Sequence, residues 1–164
     1  MSKMAELYHG SKIAGIKTLK PFPHKGVNGE SVVFATPDIR FAMAMIHGTG
    51  DELAVGYFVD QDTHQEEMYI DELVPNAFQL LAAPGIVYTI EDSGFVSDQR
   101  LSHLELVSRA ETKVLSEKKI DNILAELKKF DINFVEYDHV LDEMKKRGKD
   151  PKGATVQYKE DRFS

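Results

Sequence analysis

Residues 7–11, with the sequence Leu-Tyr-His-Gly-Ser, constrain the fold of this chain more than any other stretch. The first two residues favour a β-strand, whereas Gly10 leaves the backbone without a side chain. A flat ligand can approach such a backbone closely, with the His9 imidazole and the Ser11 hydroxyl beside it. The stretch therefore predicts a strand that runs into a binding pocket.

A second informative stretch begins at residue 31 and predicts a strand that leads into a helix. Residues 31–35, Ser-Val-Val-Phe-Ala, form a short apolar run. Thr36 is a good N-cap residue, Pro37 suits the first helical position, and Asp38 favours the positive end of the helix dipole. The apolar residues that follow at helical spacing are Ile39, Ala42, Met43 and Ile46. We expect this helix to end at Gly48.

Length and composition place the chain among ordinary globular proteins. Its 164 residues, of which 42% are hydrophobic, suffice to bury a single core. We therefore expect one domain over residues 1–148, followed by a polar tail over residues 149–164. The absence of cysteine excludes disulfides, thiolate zinc sites and a cysteine nucleophile. Because the sequence has no signal-like start and no apolar run of bilayer length, we expect a cytoplasmic protein without a membrane partner.

Charge is distributed unevenly along the chain, whose formal net charge is −7. No lysine or arginine occurs between Arg40 and Arg100, whereas eleven acidic residues lie from Asp51 to Asp98. This acidic segment would repel polyphosphate, and the basic clusters nearer the C-terminus are offset by neighbouring acids. We therefore do not expect general nucleic-acid binding. The histidines lack the spacing of zinc ligands, so no metal site is expected.

Further strands and helices are predicted from apolar periodicity and turn residues. Strands are expected at residues 55–59, 86–90, 104–108 and 132–137. Helices are expected at residues 75–83 and 138–146, together with a helix that is capped by Ser116 and has an apolar stripe of Ile120, Ile123, Leu124 and Leu127. These elements indicate an α+β domain with a mixed or antiparallel sheet and flanking helices.

Residues 7–11 and 31–44 resemble the signature of the ADP-ribosyltransferase fold, in its diphtheria-toxin-like and poly-ADP-ribose-polymerase-like branch. In that family, a leading strand with the pattern Leu-aromatic-His-Gly-Ser is followed by a strand that ends in aromatic-aromatic-Ala and runs into a helix. Residues 104–107, Leu-Glu-Leu-Val, are a looser match to a later strand. The resemblance implies a split sheet, with NAD bound as substrate in a cleft between two small sheets.

The same resemblance implies roles for individual residues. His9 would hydrogen-bond a ribose hydroxyl, Gly10 would offer its backbone to the nicotinamide amide, and Ser11 would lie beside them. The other candidate NAD-binding residues are Tyr8, Val33, Phe34, Ala35, Thr36 and Arg40. Glu105 is the candidate catalytic carboxylate, beside the positive charge that develops as the nicotinamide–ribose bond breaks.

The sequence leaves open which residue supplies the aromatic ring that would stack on nicotinamide. The stacking tyrosine of the family aligns with Val33, and a shift of one residue brings Phe34 into its place. Since successive strand residues face opposite sides, that shift decides which of the two lines the cleft. Either Val33 lines the cleft and stacking is weak, or Tyr8, Phe41 or another aromatic residue supplies the ring.

The acid and the cations also have alternatives. Glu91 and Glu111 lie in the same region of the chain as Glu105, which as a strand residue would face away from its two leucine neighbours. Candidate diphosphate ligands are Lys12, Lys17, Lys20, Lys25 and Arg40. Arg40 leads because it lies on the first turn of the predicted helix, whose N-terminal amides also favour phosphate.

The leading hypothesis is an NAD-dependent ADP-ribosyltransferase or NAD glycohydrolase, whose macromolecular acceptor is expected to be a protein. The first alternative is a catalytically silent module that binds NAD or an ADP-ribose-type nucleotide. The second alternative is a protein-interaction domain in which the apolar stripe at residues 120–127 faces a partner. The tRNA 2′-phosphotransferase chemistry of the same fold would need more basic residues than the acidic middle of the chain supplies.

Overall fold

The computed structural model describes residues 6–47 and 51–147, which form short helices and mainly antiparallel strands. The strands are β1 (Glu6–Ser11), β2 (Thr18–Leu19), β3 (Phe22–Pro23), β4 (Ser31–Ala35), β5 (Leu53–Val59), β6 (Glu66–Glu72), β7 (Gly85–Glu91), β8 (Val96–Ser97), β9 (Leu106–Ser108), β10 (Thr112–Ile120) and β11 (Asn133–Val135). The helices are α1 (Ile39–Met45), α2 (Ile123–Leu127) and α3 (Val140–Lys146), with 3₁₀ turns at Lys25–Val27, Ala77–Leu81 and Tyr137–His139. The tail expected at residues 149–164 lies outside the described residues.

The chain divides into two compact units. Among the described residues, 6–47 and 81–127 form the first unit, and 51–80 and 128–147 form the second. The expectation of one domain rests on length and composition, and neither of these indicates how the chain divides into compact units. Among the helices that the structure describes, none has the length and apolar character needed to cross a bilayer.

The first unit contains two four-stranded sheets, in the orders β1-β7-β10-β2 and β3-β4-β9-β8. All of their strand pairings are antiparallel. The two sheets meet where Tyr8 in β1 and Thr36, just after β4, exchange backbone hydrogen bonds of 2.8 and 3.0 Å. The prediction of an α+β chain with mixed or antiparallel sheets is confirmed at this level.

Apolar side chains from both sheets of the first unit form one buried cluster. Its members are Leu7, Leu19, Val33, Ala35, Ile90 and Phe95. Val33 and Ala35 point into this cluster because alternate residues of β4 share a face, and Phe34 between them points the other way. Fully burying an aliphatic side chain as large as valine contributes roughly 1.5–3 kcal/mol. The opposite face of β4 is also partly buried, because Phe34 packs against a second cluster of Val27, Val32 and Val107.

The second unit is built on a three-stranded sheet in the order β11-β6-β5. β5 runs antiparallel to β6, and β11 runs parallel to it. The buried apolar cluster consists of Val135, Val140 and Met144, which join β11 to α3. Just after α3, Arg147 makes a buried, two-pronged ion pair with Asp71 of β6, with N···O distances of 2.8 and 3.0 Å. This pair joins the end of α3 to the middle strand of the sheet.

The start of α1 differs from the prediction. The N-cap is Asp38, whose carboxylate accepts from the Arg40 N–H at 3.0 Å, and not Thr36. The Thr36 hydroxyl accepts from the Asp38 N–H at 3.1 Å and so forms a turn before the helix. Because the backbone of Thr36 is bridged to Tyr8, it cannot also begin the helix. The helix ends at Met45, and the expected stop at Gly48 lies outside the described residues.

The helix expected from Ser116 is wrong in its first half. Residues up to Ile120 belong to β10, which pairs with β7 from Val114 to Ile120. The helix α2 begins only at Ile123, and Asn122 caps it by accepting from the Ala125 N–H at 3.0 Å. The apolar stripe is therefore shared between a strand end and one short helix.

Candidate functional site

A cleft of about 190 Å³ opens in the first unit where β1, β4 and α1 come together. The residues that line it are Tyr8, His9 and Gly10 of β1, Phe34, Ala35 and Thr36 at the end of β4, Phe41, Ala42 and Met45 of α1, and His24 and Glu105 from two loops. The lining is mostly apolar, with a few convergent polar groups, which is the usual character of a small-molecule site.

Most of the residues predicted to bind the ligand lie in this cleft, and three do not line it. Val33 is 2% exposed and lies in the core. The hydroxyl of Ser11 accepts from the Ile13 N–H at 3.0 Å. Arg40 pairs with Asp38 at 2.8 Å. The structure thus brings His9, Phe34 and Glu105 together and places Phe34, not Val33, in the cleft.

His9 is held in one tautomer by the backbone of β4. Its Nδ1 lies 2.7 Å from the Phe34 carbonyl oxygen, which can only accept, so Nδ1 carries the proton. In the neutral ring Nε2 is then an acceptor. Burial lowers the pKa of His9 below 6.5, although the bond to Phe34 acts in the opposite direction. His9 therefore presents an uncharged acceptor nitrogen at neutral pH.

Gly10 has a packing role that the sequence did not indicate. A Cβ at this position would lie 2.7 Å from Cγ1 of Ile46 and would also collide with the Ala42 carbonyl oxygen. The absence of a side chain therefore lets α1 pack directly on β1. Backbone groups of residues two apart in a strand point to the same side, so Gly10 directs its N–H and C=O to the edge where Tyr8 pairs with Thr36. That edge continues into the cleft.

His24 is a cleft residue that sequence analysis missed. It lies in a loop rich in proline and glycine, and its spacing from the other histidines indicates no metal site. Its ring lies 4.2 Å from the Phe34 ring, centroid to centroid, at an angle of 58°. Its Nδ1 accepts from the Gly26 N–H at 3.0 Å. The hydrogen bond from Gly26 and the contact with Phe34 thus hold the His24 imidazole against the aromatic wall of the cleft.

Glu105 reaches the cleft from a turn and not from a strand. β9 begins at Leu106, so the prediction of a strand over residues 104–108 is confirmed for residues 106–108 and is wrong for Leu104 and Glu105. The turn is closed by the Glu105 N–H, which donates to the Ser102 carbonyl at 3.1 Å. Since Ala35 pairs with Leu106, Glu105 lies beside the end of β4.

The carboxyl of Glu105 is partly withdrawn from water. Burial raises its pKa above 4.5, and a hydrogen bond from the Ser102 hydroxyl, 3.2 Å from Oε1, opposes that rise. The rival acids Glu91 and Glu111 are exposed and do not line the cleft. Glu105 is therefore the carboxylate of this site.

The described residues that line the cleft include no lysine or arginine. Lys12, Lys17 and Lys20 are exposed, and the Arg40 guanidinium is paired with Asp38 through both Nε and a terminal nitrogen. The cleft therefore presents neutral hydrogen-bonding groups, an aromatic ring and one carboxyl. In the part of the chain that the structure describes, no group of three metal-ligating side chains occurs.

A larger concavity of about 550 Å³ lies in the second unit. Its acidic members are Asp60, Asp62, Glu67, Asp131 and Glu143. Desolvation, followed by the charges of Asp60 and Asp131, raises the pKa of Glu67. Repulsion between these acids and a lining in which only Phe58 and Ile132 are apolar make this concavity the weaker candidate for an organic ligand.

No protein-family model, curated protein or solved structure matches this chain. The class that the geometry defines is a two-sheet α/β unit whose cleft combines an acceptor imidazole, an aromatic ring and a partly buried carboxyl.

Proposed function

We propose that the cleft binds NAD through its nicotinamide–ribose half and that the protein transfers ADP-ribose to an acceptor or hydrolyses NAD. The observation that carries the proposal is the meeting of His9, Phe34 and Glu105 in one cleft, although 96 positions separate the imidazole from the acid. The resemblance at residues 7–11 and 31–44 to the ADP-ribosyltransferase fold, and the contact of two small sheets at Tyr8 and Thr36, support the same assignment.

The proposed roles follow from the hydrogen-bonding capacity of each group. The acceptor Nε2 of His9 takes a hydrogen bond from a ribose hydroxyl, and the backbone of Gly10 meets the carboxamide at the open edge of β1. The Phe34 ring packs against the pyridine ring as an aromatic wall.

Glu105 acts on the bond that breaks. Departure of neutral nicotinamide leaves positive charge on the ribose, and an ionised Glu105 carboxylate beside it lowers the energy of that transition state. The same carboxylate accepts a proton from the attacking water or acceptor hydroxyl. The bond from Ser102 holds the carboxyl in place for both steps. The acceptor that we propose is a protein, in keeping with the lack of cationic groups for nucleic acid in the cleft.

The direct test is release of nicotinamide from NAD by the wild-type protein and by Glu105→Gln, measured by chromatography. We expect the amide variant to lose at least about a hundred-fold in rate, because glutamine carries no charge and takes no proton. Glu91→Gln is the matched control, since Glu91 is an exposed acid of the same unit, and it should keep the wild-type rate. Unchanged turnover in a folded Glu105→Gln protein would remove Glu105 from the mechanism.

A second candidate function is binding of the nucleotide without turnover. The observation that favours it is the burial of Glu105, which raises its pKa and so disfavours the charged form that catalysis needs. Calorimetry with NAD and with ADP-ribose separates the two functions when combined with the nicotinamide assay. Binding without nicotinamide release over a range of pH and acceptors identifies a silent module.

A further inference from the structure

We propose that His24 donates a hydrogen bond from its Nε2–H to the phosphate of a nucleotide whose ribose occupies the cleft, and thereby makes the cleft selective for nucleotides over nucleosides. This inference rests on the proposed function, because it takes the ribose to lie between His9 and Glu105. It adds a phosphate contact that no lysine or arginine lining the cleft supplies.

The tautomer of His24 makes its Nε2 a hydrogen-bond donor. Its Nδ1 accepts from the Gly26 N–H, so in the neutral ring the proton lies on Nε2. No residue of the described ranges, 6–47 and 51–147, accepts a hydrogen bond from that Nε2. Burial also lowers the pKa of His24 below 6.5, which keeps the ring in this neutral form at physiological pH. His24 is thus a donor where His9 is an acceptor.

His24 lies at the solvent-exposed end of the cleft. It is the one exposed residue among those that line the cleft, whereas His9 and Glu105 are partly buried. His24 therefore lies at the mouth and the other two lie further in. A nucleotide that places its base and ribose inside must bring its phosphate out at the mouth.

The His24 imidazole is held in a fixed orientation before any ligand binds. The bond from Gly26 fixes one side of the imidazole, and the Phe34 ring, 4.2 Å away, supports its face. A donor that is already oriented loses little side-chain entropy when it binds an anionic oxygen. Hydrogen bonds to charged groups are also the stronger ones, so one neutral donor is sufficient for measurable selectivity.

The test compares nicotinamide mononucleotide with nicotinamide riboside, which differ by that phosphate, in calorimetric titrations. We expect the wild-type protein to bind the mononucleotide about ten-fold more tightly than the riboside. In His24→Asn, the Asn oxygen still accepts from the Gly26 N–H, and its amide N–H groups lie one bond closer to the backbone than Nε2 of histidine. The phosphate therefore loses its donor, and the two ligands should bind alike. Affinity for the riboside should stay at the wild-type value. His139→Asn, at an exposed histidine of the second unit, is the control and should keep the ten-fold preference.

The outcomes separate this inference from the proposed function. Equal binding of both ligands by the wild-type protein, or an undiminished preference in His24→Asn, overturns the role of His24 while nucleotide binding itself stands. A wild-type protein that binds neither ligand, nor NAD, overturns both proposals. Nitrogen-15 NMR of the wild-type histidines supplies a measurement that needs no variant, since a proton found on Nδ1 of neutral His24 also overturns the inference.

Discussion

Replacing Gly10 by alanine tests whether this glycine serves packing or ligand approach. The added Cβ would lie 2.7 Å from Ile46 Cγ1, about 0.7 Å short of an ordinary contact, and closer still to the Ala42 carbonyl oxygen. The Ile46 side chain can rotate away, but the carbonyl belongs to the backbone of α1, so the helix itself must shift. Overpacking of this kind costs roughly 3 kcal/mol, the upper end of its usual range.

Alanine also restricts the unfolded chain, which returns roughly 0.5–1 kcal/mol, so the net loss should be about 2 kcal/mol. The measurement is urea unfolding followed by far-UV circular dichroism. Gly10→Ala combined with Ile46→Ala should not recover the loss, because the backbone collision remains. Ser11→Ala, one residue away, should change the stability by less than about 0.5 kcal/mol.

A Gly10→Ala protein as stable as the wild type would refute the packing explanation. If that stable variant also failed to bind NAD, close approach of the ligand to the backbone would be the reason for the glycine. If it unfolded more easily yet bound NAD normally when folded, packing alone would account for it.

Three further predictions concern other parts of the chain. Arg147→Met should destabilise the second unit by about 3 kcal/mol in urea unfolding, because it leaves the Asp71 carboxylate buried without its guanidinium; Lys146→Met, beside it but exposed, should be neutral. Tyr88→Phe should cost about 1–2 kcal/mol, because the Ile13 carbonyl and the Ile16 N–H lose the hydroxyl that binds both. Nicotinamide release should fall on the acid side with a midpoint above pH 4.5, since protonation of Glu105 removes the charge and its pKa is raised; an acid limb below 4.5 contradicts this.

The folded-state pKa of His9 has a consequence for stability as well. Burial depresses that pKa below the unfolded value of 6.5, so the unfolded chain binds the extra proton first as the pH falls. Stability from the neutral ring is therefore present above pH 6.5 and is lost between 6.5 and the lower folded-state pKa. His9→Gln should flatten that part of a plot of unfolding free energy against pH, and an unchanged slope would show that His9 is not the group that titrates.

The local strand and helix signals in the sequence predicted well where they agreed with tertiary pairing. β4 and α1 follow from an apolar run and a turn of Thr, Pro and Asp, although the cap lies two residues later than expected. The second half of β10 was predicted as a helix because Ser116 suits an N-cap and the apolar residues from Ile120 to Leu127 recur at helical spacing. Their strand conformation comes from pairing with β7, which is distant in sequence, and local propensity does not record it.

The sequence predicted which chemical groups the candidate site contains, but not which side chains of β4 point into it. His9 and Glu105 stand out as residue types, whereas the choice between Val33 and Phe34 depends on the register of β4 against β9. His24 gave no signal, because a histidine in an irregular loop has no periodicity and its role depends on a neighbour ten residues away. His9 and Glu105 could thus be identified from their residue type and local motif, whereas His24 could be identified only from its contacts in the folded chain.

Phe34 links the polar groups of the cleft more closely than any other residue. Its carbonyl oxygen fixes the tautomer of His9, and its ring supports His24, whose own tautomer is fixed by Gly26. The acceptor of His9 and the donor of His24 thus both depend on one strand residue, whose neighbours Val33 and Ala35 lie in the core. A valine at position 33 is therefore compatible with an aromatic wall in the cleft, because Val33 lies in the core and Phe34 lines the cleft.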